Sequence, residues 1–405
     1  MTRQLPVVSI VTPSFNHAPY IRATIESVLS QRYPNLEYIV VDGGSTDESP
    51  SIAQSYGSRL KFISEPDNGQ AHAINKGFAM ANGSILAWLN SDDILLPGAV
   101  NAAMAAMDRA PAAGLVYGEG YRIDHNGKIR DRYPHTRPPN LWRFVHLSDF
   151  IMQQTVFFRR KALEAVGYLD EKLHYGMDWD VLIRVGLKYQ LAYTSDYLAC
   201  IRIHPKTKTA TGGMRRIREL HAILRKHTGM RLPPGSLTYG LGSLAQFCGD
   251  CLDRRLPRAL APVLGPLQWA INTAASRAAG PILLHYQGLY DDGWAGKKLR
   301  YMLPAGGDEF LIEGFVPPWA ERLVPQTLSV HCGNLALGAF RLSAGEFQIR
   351  LTVPPILREA ALNLKIAATR SFLPSQFGWE GDHRRLAYLL RDIRWAQDQC
   401  NDEDE

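Results

Sequence analysis

The sequence predicts an α/β protein in its N-terminal half, with a mostly parallel sheet and crossover helices, followed by a small β-sandwich near its C-terminus. The first part rests on short, apolar, β-branched runs that alternate with amphipathic helical patterns. The second rests on closely spaced alternating strands with turn signals from about residue 290. With 46% hydrophobic and 21% charged residues, the composition is that of a globular protein rather than a disordered one.

The N-terminal elements are predicted in a regular order. Between the strands, apolar residues at helical spacing predict one helix from Pro19 and another over 70–81. Apolar, β-branched runs predict four strands, over 7–12, 36–41, 60–64 and 84–89.

Three of these strands end in polar clusters, at 13–16, 42–47 and 90–93. Because the carboxyl ends of parallel strands meet at one edge of a sheet, where α/β proteins bind ligands, we expect the clusters to form one site. No GxGxxG follows the first strand and GxxxxGK[ST] is absent from the sequence, which disfavours dinucleotide and P-loop sites.

The turn Asn90-Ser91-Asp92-Asp93 has two interpretations. Asp is a favoured helix cap, so the turn could simply start the next helix. Adjacent carboxylates at a strand end also repel one another unless a cation or hydrogen-bond donors offset their charge, which suits a divalent metal site. The stretch alone leaves both interpretations open.

The middle of the sequence predicts a hairpin with strands over 115–121 and 128–133, and then a Pro-rich loop over 134–150 on the acceptor side of the site. A helix is expected to begin at Gly176, with Asp178 and Asp180 in its first turn. Carboxylates there are favoured by the helix dipole, so a purely structural role is the alternative to a catalytic one.

Charge and cysteine content set further limits. A net charge of +6 and a pI of about 9 suit anionic small molecules, an anionic membrane surface or nucleic acid without choosing among them. An early first strand and five scattered cysteines predict no signal peptide and a reducing compartment. The longest uncharged run, 259–276, is broken by Pro262 and Pro266, so it is expected to pack between domains rather than span a membrane.

Six sequence blocks follow one another between residues 7 and about 210. They are VSIVTPSFNHAPYIRATIESVLSQRYPNLEYIVVDGGSTD, EPDNGQAHAINKGFAMANGSILAWLNSDDILLPGAV, QQTVFFRR, LEAVGYLDEKL, MDWDVLIRV and IRIHPKTKT. Over this half of the chain the sequence resembles the inverting family 2 glycosyltransferases. The resemblance implies a GT-A fold and a nucleotide-diphosphate sugar donor, with a UDP-type donor favoured.

The resemblance also implies a role for each matching residue. Asp178 would be the catalytic base near the acceptor. Asp92 would bind a divalent cation, Mn²⁺ or Mg²⁺, with Asp93 as second ligand or support and His204 as a further ligand. The donor-binding residues would be Pro13, Asn16, Asp42 (to the base), Gly69, Asn90, Ser91 and Asp92.

Two positions depart from the family pattern. Asn90 occupies the first position of the DxD motif, which lowers the charge available for the metal and leaves a bond to the ribose as its expected task. Met177 stands where many relatives carry Glu, so Asp178 is the sole candidate base.

Four segments are predicted: a GT-A domain over 1–230, a helical linker over 231–286, a β-sandwich over 287–400 and a disordered acidic tail over 401–405. The basic stretch 206–231 is expected to begin as a loop over the diphosphate and to continue, beyond residue 214, as the solvated face of a helix. The sandwich resembles an accessory domain of bacterial surface-polysaccharide glycosyltransferases, and core positions are favoured over sugar-stacking ones for Trp294, Trp319 and Trp379.

The expected activity is transfer of one sugar from a nucleotide-diphosphate sugar to a saccharide or lipid-linked acceptor in cell-surface glycan assembly. The expected location is cytoplasmic, with a peripheral contact to the inner face of the plasma membrane left open and nucleic acid not expected as a partner. One alternative is a non-catalytic nucleotide-sugar or glycan-binding scaffold, for which Asn90 is the only hint. The other is a sugar nucleotidyltransferase, which should carry a Gly- and Lys/Arg-rich loop after the first strand and does not.

Overall fold

The computed structural model of the protein describes residues 5–204, 207–208, 212–236, 287–319, 324–377, 382 and 384–399. Contacts divide the chain into two compact units, Met1–Pro139 with Asp149–Arg231 and Asn140–Ser148 with Leu232–Glu405. Residues 140–148, expected within the first domain, therefore belong to the second unit. The predicted linker beyond residue 236 and the acidic tail lie outside the described residues, and the predicted domain boundaries stay predictions.

The first unit is built on a nine-stranded sheet in the order β3-β2-β1-β4-β8-β6-β9-β5, with β7 paired to β6. Its first four strands are parallel, as predicted, and the rest of the sheet is mixed, because β8 runs antiparallel to β4 and β6 and β5 runs antiparallel to β9. The strands are β1 Val8–Ser14, β2 Leu36–Asp42, β3 Lys61–Ser64, β4 Ile85–Trp88, β5 Ile94–Leu95, β6 Ala113–Ile123, β7 Ile129–Arg132, β8 Phe157–Arg159 and β9 Gln190–Arg202.

Helices connect these strands and cover the sheet. Ile10 and Val40 at the centre of the sheet are fully buried, as are Ile25 and Val28 on the helix after β1. Fully buried strands are typical of a sheet with helices on both faces. The helices are α1 Ala18–Leu29, α2 Ser49–Gln54, α3 Gln70–Met80, α4 Ala99–Arg109, α6 Arg160–Val166, α7 Met177–Lys188 and α8 Gly213–Thr228, while α5 Leu141–His146 belongs to the second unit.

Strand register brings the predicted polar clusters to one edge. Ser14 lies opposite Asp42 between β1 and β2, and Val11 lies opposite Trp88 between β1 and β4. The residues that follow these three strands therefore leave the sheet side by side, as the strand-end pattern predicted.

The second unit contains two four-stranded antiparallel sheets, β10-β17-β12-β15 and β11-β16-β13-β14. Along β16, every second residue from Leu362 to Ala368 is buried, which is the period of a strand with one face in a core. The strands are β10 Trp294–Gly296, β11 Lys298–Leu303, β12 Glu309–Val316, β13 Gln326–Cys332, β14 Leu335–Leu342, β15 Gly345–Thr352, β16 Leu362–Ala368 and β17 Leu386–Trp395. The predicted fold class, an α/β unit followed by a β-sandwich, is confirmed.

The tryptophans of the sandwich differ from one another. Trp294 is partly buried, with its ring edge-on to Phe372 at 5.6 Å. Trp319 is 46% exposed, so its predicted core position is wrong. Trp379 lies outside the described residues.

Among the described residues, we find no helix with the length and apolar character that a membrane span requires.

Candidate active site

The turn after β4 is held by a neighbouring helix and does not cap one. The Thr24 hydroxyl of α1 donates to the carbonyl oxygens of Ser91, at 2.9 Å, and Asp93, at 2.8 Å. The short strand β5 follows, and α4 begins at Ala99 after Gly98. The helix-cap interpretation of this turn is therefore wrong.

Asp93 supports the turn from inside. Its side chain is buried, and its Oδ2 accepts hydrogen bonds from Asn90 Nδ2 at 3.0 Å and Gln154 Nε2 at 2.7 Å, while Oδ1 accepts from the Arg202 N–H at 2.9 Å. Burial, and then the charge of Asp92, raise the pKa of Asp93 to about 8 despite these donors. With both oxygens engaged by the protein, Asp93 fits the supporting role rather than that of a second metal ligand.

Asn90 is also engaged on both sides of its amide. Its Oδ1 accepts from Gln70 Nε2 at 2.7 Å and its Nδ2 donates to Asp93. An aspartate at this position would set a second carboxylate against Asp93, so the amide is the group that the turn requires. This geometry favours a structural role for Asn90 over the predicted bond to a ribose.

Asp92 and His204 form a pair on the donor side, with side chains 14% and 6% exposed. His204 Nε2 lies 3.1 Å from Asp92 Oδ2, and the His204 ring packs on Tyr20 with centroids 5.0 Å apart. Arg202 fixes the main chain of the turn, since its Nε donates to the Asp92 carbonyl at 2.8 Å, and its guanidinium lies over the Tyr20 ring. Ser91 is buried beside them, 2.7 Å from His17 Nδ1.

The donor set fits a hard divalent cation only in part. Asp92 supplies carboxylate oxygens and His204 an imidazole nitrogen, and no cluster of three or more His, Cys, Asp or Glu side chains suited to a metal occurs in the described part of the chain. Magnesium in particular is commonly bound by one or two protein carboxylates together with substrate phosphates. The two residues fit a cation that takes its remaining ligands from a diphosphate.

Asp42 ends β2 in a nest of donors. Its Oδ2 accepts from the N–H groups of Gly44 and Ser45 and from the Ser64 hydroxyl, at 3.1, 2.9 and 2.8 Å. Its Oδ1 accepts only from the Ser45 hydroxyl, at 2.5 Å, among the described residues. Asp42 is buried, and Oδ1 is the less saturated of its two carboxylate oxygens.

The other predicted donor residues line the same edge. Asn16 takes a left-handed backbone, φ 53°, and its Oδ1 accepts from the Thr46 N–H at 2.9 Å. Pro13 is buried in β1 beside Ser14, whose buried hydroxyl has no hydrogen-bond partner in the described part of the protein. Gly69, φ 113°, precedes α3 and has no atom within 4 Å of the place where a side chain would start.

Asp178 has different surroundings from the donor-side residues. It lies in the first turn of α7, and its Oδ1 accepts from the Trp179 N–H at 2.8 Å. Burial raises the pKa of Asp178, and the Trp179 N–H opposes that rise. The positive charges of Arg216 and Lys208 oppose it as well. A carboxylate with a raised pKa beside two cations is suited to accept a proton.

Sequence reasoning missed several residues of the site. Gln154, which donates to Asp93, lies in the block QQTVFFRR. Two adjacent glutamines among apolar residues were the available signal of a buried polar role. The charge of Arg216 acts on Asp178, and the charge of Asp178 acts on Asp149. Both residues lie far from Asp178 along the chain. The expected solvated helix face fits Lys226, which is 54% exposed although its Nζ lies 3.0 Å from Asp180. Arg216 on the same helix is partly buried.

Comparison with known proteins finds sequence similarity to glycosyltransferases. The sequence model of the family described as Glycosyl transferase family 2 matches residues 9–167. An uncharacterized glycosyltransferase of Rickettsia prowazekii (strain Madrid E) is 28% identical over 254 residues, which are 60% of this chain and 78% of that protein. An uncharacterized glycosyltransferase of Mycobacterium tuberculosis (strain CDC 1551 / Oshkosh) is 29% identical over 228 residues, 53% of this chain and 84% of that protein.

Solved structures show a more distant likeness. The mannosyltransferase PcManGT from Pyrobaculum calidifontis, in complex with GDP-Man and Mn²⁺, is 18% identical with a TM-score of 0.45, over 69% of this chain and 87% of that one. S. aureus TarS 1-349 in complex with UDP-GlcNAc is 17% identical with a TM-score of 0.44, over 70% and 93%. Scores of this size add nothing to the assignment. The matched region carries it: residues 9–167 match the family 2 glycosyltransferases, as the motifs predicted.

Proposed function

We propose that the protein is an inverting, metal-dependent glycosyltransferase that moves one sugar from a nucleotide-diphosphate sugar to a saccharide or lipid-linked acceptor. In this proposal Asp92 and His204 hold the cation on the donor side, and Asp178 is the base on the acceptor side. Asp42, Pro13, Asn16 and Gly69 receive the nucleotide. The proposal goes beyond family membership in its mechanism, its metal and its assignment of residues.

The observation that supports the proposal is that carboxylates of both sides act on the charge of Lys208. Lys208 follows His204 by four residues, and its charge is acted on by Asp178 and also by Asp67. Asp67 belongs to the donor edge, because its Oδ2 lies 2.5 Å from the place where a side chain on Gly43 would start. A cation that interacts with carboxylates of both sides is suited to bind the diphosphate of the donor.

The chemistry follows from these positions. A divalent cation at Asp92 would neutralise the charge that builds up on the departing diphosphate. Asp178 accepts the proton of the acceptor hydroxyl while that oxygen attacks the anomeric carbon from the face opposite the leaving group. A single in-line displacement inverts the anomeric centre, so an α-linked donor gives a β-linked product.

The test is a donor screen. Purified protein is incubated with a panel of UDP-, GDP- and TDP-sugars, with Mn²⁺, with Mg²⁺ or with EDTA, and free nucleoside diphosphate is measured. We expect release from one donor class that depends on the cation and falls in Asp92→Asn. A protein that binds a donor tightly but releases no nucleotide with any metal or acceptor would instead be the scaffold considered above.

The acceptor side and the membrane need a separate experiment. Arg215, Arg218 and Arg225 on α8 are exposed, which supports a contact with an anionic lipid surface near a lipid-linked acceptor. We expect sedimentation with phosphatidylglycerol-containing vesicles that is lost in the triple Arg→Gln variant and is absent with phosphatidylcholine alone. Equal binding to both kinds of vesicle would remove the electrostatic contact from the proposal.

A further inference from the structure

Helix α8 is docked onto the chain that leads into α7, the helix that carries Asp178. Glu219 of α8 accepts hydrogen bonds from three consecutive backbone N–H groups, those of His174, Tyr175 and Gly176, with closest distances of 3.0, 2.6 and 2.8 Å. Gly176 is the N-cap residue of α7, and α7 has no side-chain hydrogen bond at this cap. Glu219 therefore holds residues 174–176, the entry to α7, from outside the helix.

Two glycines permit this close approach. A side chain on Gly176 would start 2.6 Å from Ile223 Cδ1 and 2.8 Å from Leu220 Cδ2, both on α8. A side chain on Gly212, which precedes α8, would start 2.9 Å from the ring of Tyr175. These distances leave no room for a Cβ, so each helix start packs its backbone directly on side chains of the other segment.

The main chain of His174 is held on its carbonyl side as well. Lys208, four residues after His204, donates from Nζ to the His174 carbonyl oxygen at 3.2 Å. The N–H of the same residue is bound by Glu219. The entry to α7 is thus fixed by two side chains that both come after β9 in the chain.

A second contact with α8 holds the first turn of α7. Asp180 is fully buried, and its Oδ1 accepts from Lys226 Nζ at 3.0 Å and lies 2.8 Å from His227 Nε2. Asp178 comes two residues after Gly176 and two before Asp180. The candidate base therefore lies between the two places at which α8 holds α7.

The position of Asp178 depends on the entry to α7 because backbone hydrogen bonds tie the first turn together. The N–H of Asp180 donates to the Gly176 carbonyl at 2.9 Å, which closes the turn around Asp178. A shift of residues 174–176 would therefore carry Asp178 with it. A base must lie within about 3 Å of the oxygen whose proton it accepts, so a shift of about 1 Å is enough to weaken catalysis.

We propose that Glu219 is a positioning residue of the acceptor site, which fixes the entry to α7 and so keeps Asp178 within reach of the acceptor hydroxyl. This inference rests on the proposed role of Asp178 as base. During transfer, the acceptor oxygen bonds to the anomeric carbon, the bond to the diphosphate breaks with its electron pair, and the hydroxyl proton passes to Asp178. Glu219 takes part in none of these bonds.

The first test removes the acceptor atoms of Glu219. The substrate is the UDP-, GDP- or TDP-sugar from which the wild-type protein releases nucleotide in the donor screen, with water as the acceptor. Glu219→Met keeps the length of the side chain and should lower kcat by about ten- to a hundred-fold, the effect of a misplaced catalytic group. The Kd for that nucleotide sugar, measured by calorimetric titration, should change by less than about three-fold, because the donor-binding residues are intact.

The conservative variant should restore the rate. Oε1 of Glu219 accepts from all three N–H groups, and Glu219→Gln keeps an oxygen at that position, so it should recover most of kcat. Glu37→Met is the matched control, since Glu37 also accepts several hydrogen bonds but lies away from the site. It should lower the unfolding temperature and leave kcat unchanged, which separates positioning from general stability.

A second variant reaches the same contact from α7. If thermal unfolding shows that Glu219→Met does not fold, Gly176→Ala takes its place, because the added methyl group meets Ile223 Cδ1 and should displace the entry to α7. Its kcat should fall, and Ile223→Val in the same chain, which removes Cδ1, should restore part of the loss.

The outcomes separate this inference from the proposed function. A folded Glu219→Met protein with the kcat of Glu37→Met would overturn the inference, and so would a Glu219→Gln protein as slow as Glu219→Met. If the methionine variant is unfolded, a wild-type kcat in Gly176→Ala has the same consequence. Near-normal turnover by Asp178→Asn would instead remove the proposed base, which is a different failure.

Discussion

The donor side and the acceptor side of the site hold their carboxylates in opposite ways. Asp42 accepts four hydrogen bonds and Asp93 three, so most of the lone pairs of both carboxylates are occupied by donors of the protein. Asp178 accepts a hydrogen bond from the Trp179 N–H, and its charge is balanced by cations on other elements. A carboxylate saturated with donors is a fixed part of a binding frame. A carboxylate that depends on distant charges can change its protonation state during a reaction.

The largest expected effect comes from the acceptor side. Asp178→Asn should lower kcat by about two to four orders of magnitude and leave the Kd for the donor unchanged. The base is lost, while the donor-binding residues, among them Asp42 and Asp92, are unchanged. Single-turnover kinetics and calorimetric titration with the nucleotide sugar measure the two quantities. Asp170→Asn, in the loop before α7, is the matched control. A large rise in donor Kd in Asp178→Asn would show that the two sides are not separate.

The next largest effect tests whether the contact between α7 and α8 supports the acceptor side without affecting donor binding. Asp180→Asn leaves His227 and Arg184, which are 6% and 18% exposed, without a negative partner. Loss of one member of a buried ion pair costs about 3 kcal/mol of unfolding free energy. Urea unfolding should show this loss, with donor binding retained in the folded protein. The control is Asp131→Asn, which breaks an exposed pair with Arg122 and should cost below about 1 kcal/mol.

The sequence predicted the donor side of the site better than the acceptor side. The donor side was predictable, because strand ends in a parallel sheet bring Asn16, Asp42 and Asp92 to one edge whatever the side chains around them. The roles of the individual donor-side residues were less predictable. The sequence shows Asn90 as a missing charge, and only the hydrogen bonds from Gln70 and to Asp93 show why an amide is required there.

The acceptor side depends on contacts between elements far apart in sequence. The helix of Asp178 was predicted from its apolar spacing, but the charged groups that interact with Asp178 come from α8 and from the loop before β8. In sequence, the basic residues of α8 resemble a solvated helix face, and only the structure shows that Arg216 is partly buried and that Lys226 pairs with the buried Asp180. The sandwich was predicted because the period-two pattern of its strands is local, while the exposure of Trp319 depends on the packing around it.

A third prediction returns to the donor frame and asks whether Asn90 is a weakened metal ligand or a necessary amide. Asn90→Asp restores the charge of a DxD motif but removes the donor to Asp93 and sets two carboxylates together. We expect a loss of about 2 kcal/mol in stability and no gain in Mn²⁺ affinity. Thermal unfolding and metal titration of nucleotide release measure these. Asn68→Asp, an exposed position in the adjacent loop, is the control, and tighter Mn²⁺ binding in Asn90→Asp would restore the ligand interpretation.

The smallest expected effect concerns Glu37, which lies away from the site. It tests whether several hydrogen-bond donors are enough to keep a carboxylate ionised. Glu37 of β2 accepts from Asn82 N and Nδ2, Lys61 and the Ser9 hydroxyl. Burial opposes its ionisation, but the bonds from Asn82, Lys61 and Ser9 outweigh burial and lower the pKa of Glu37 to about 2. Since the ordinary value is about 4.3, the stabilisation is complete at neutral pH and is lost as the pH falls from about 4.3 towards 2.

Glu37→Gln should therefore lower the free energy of unfolding by about 1 kcal/mol at pH 7, and the gap to the wild-type protein should narrow below about pH 4. Urea unfolding between pH 3 and 7 follows the gap, with both proteins measured in the same buffers. Glu65→Gln, which removes an exposed partner of Lys76, should change stability little at any pH. A gap for Glu37→Gln that stays constant down to pH 3 would mean that its donors act through geometry and not through charge, and the same doubt would then extend to Asp42 in the donor frame.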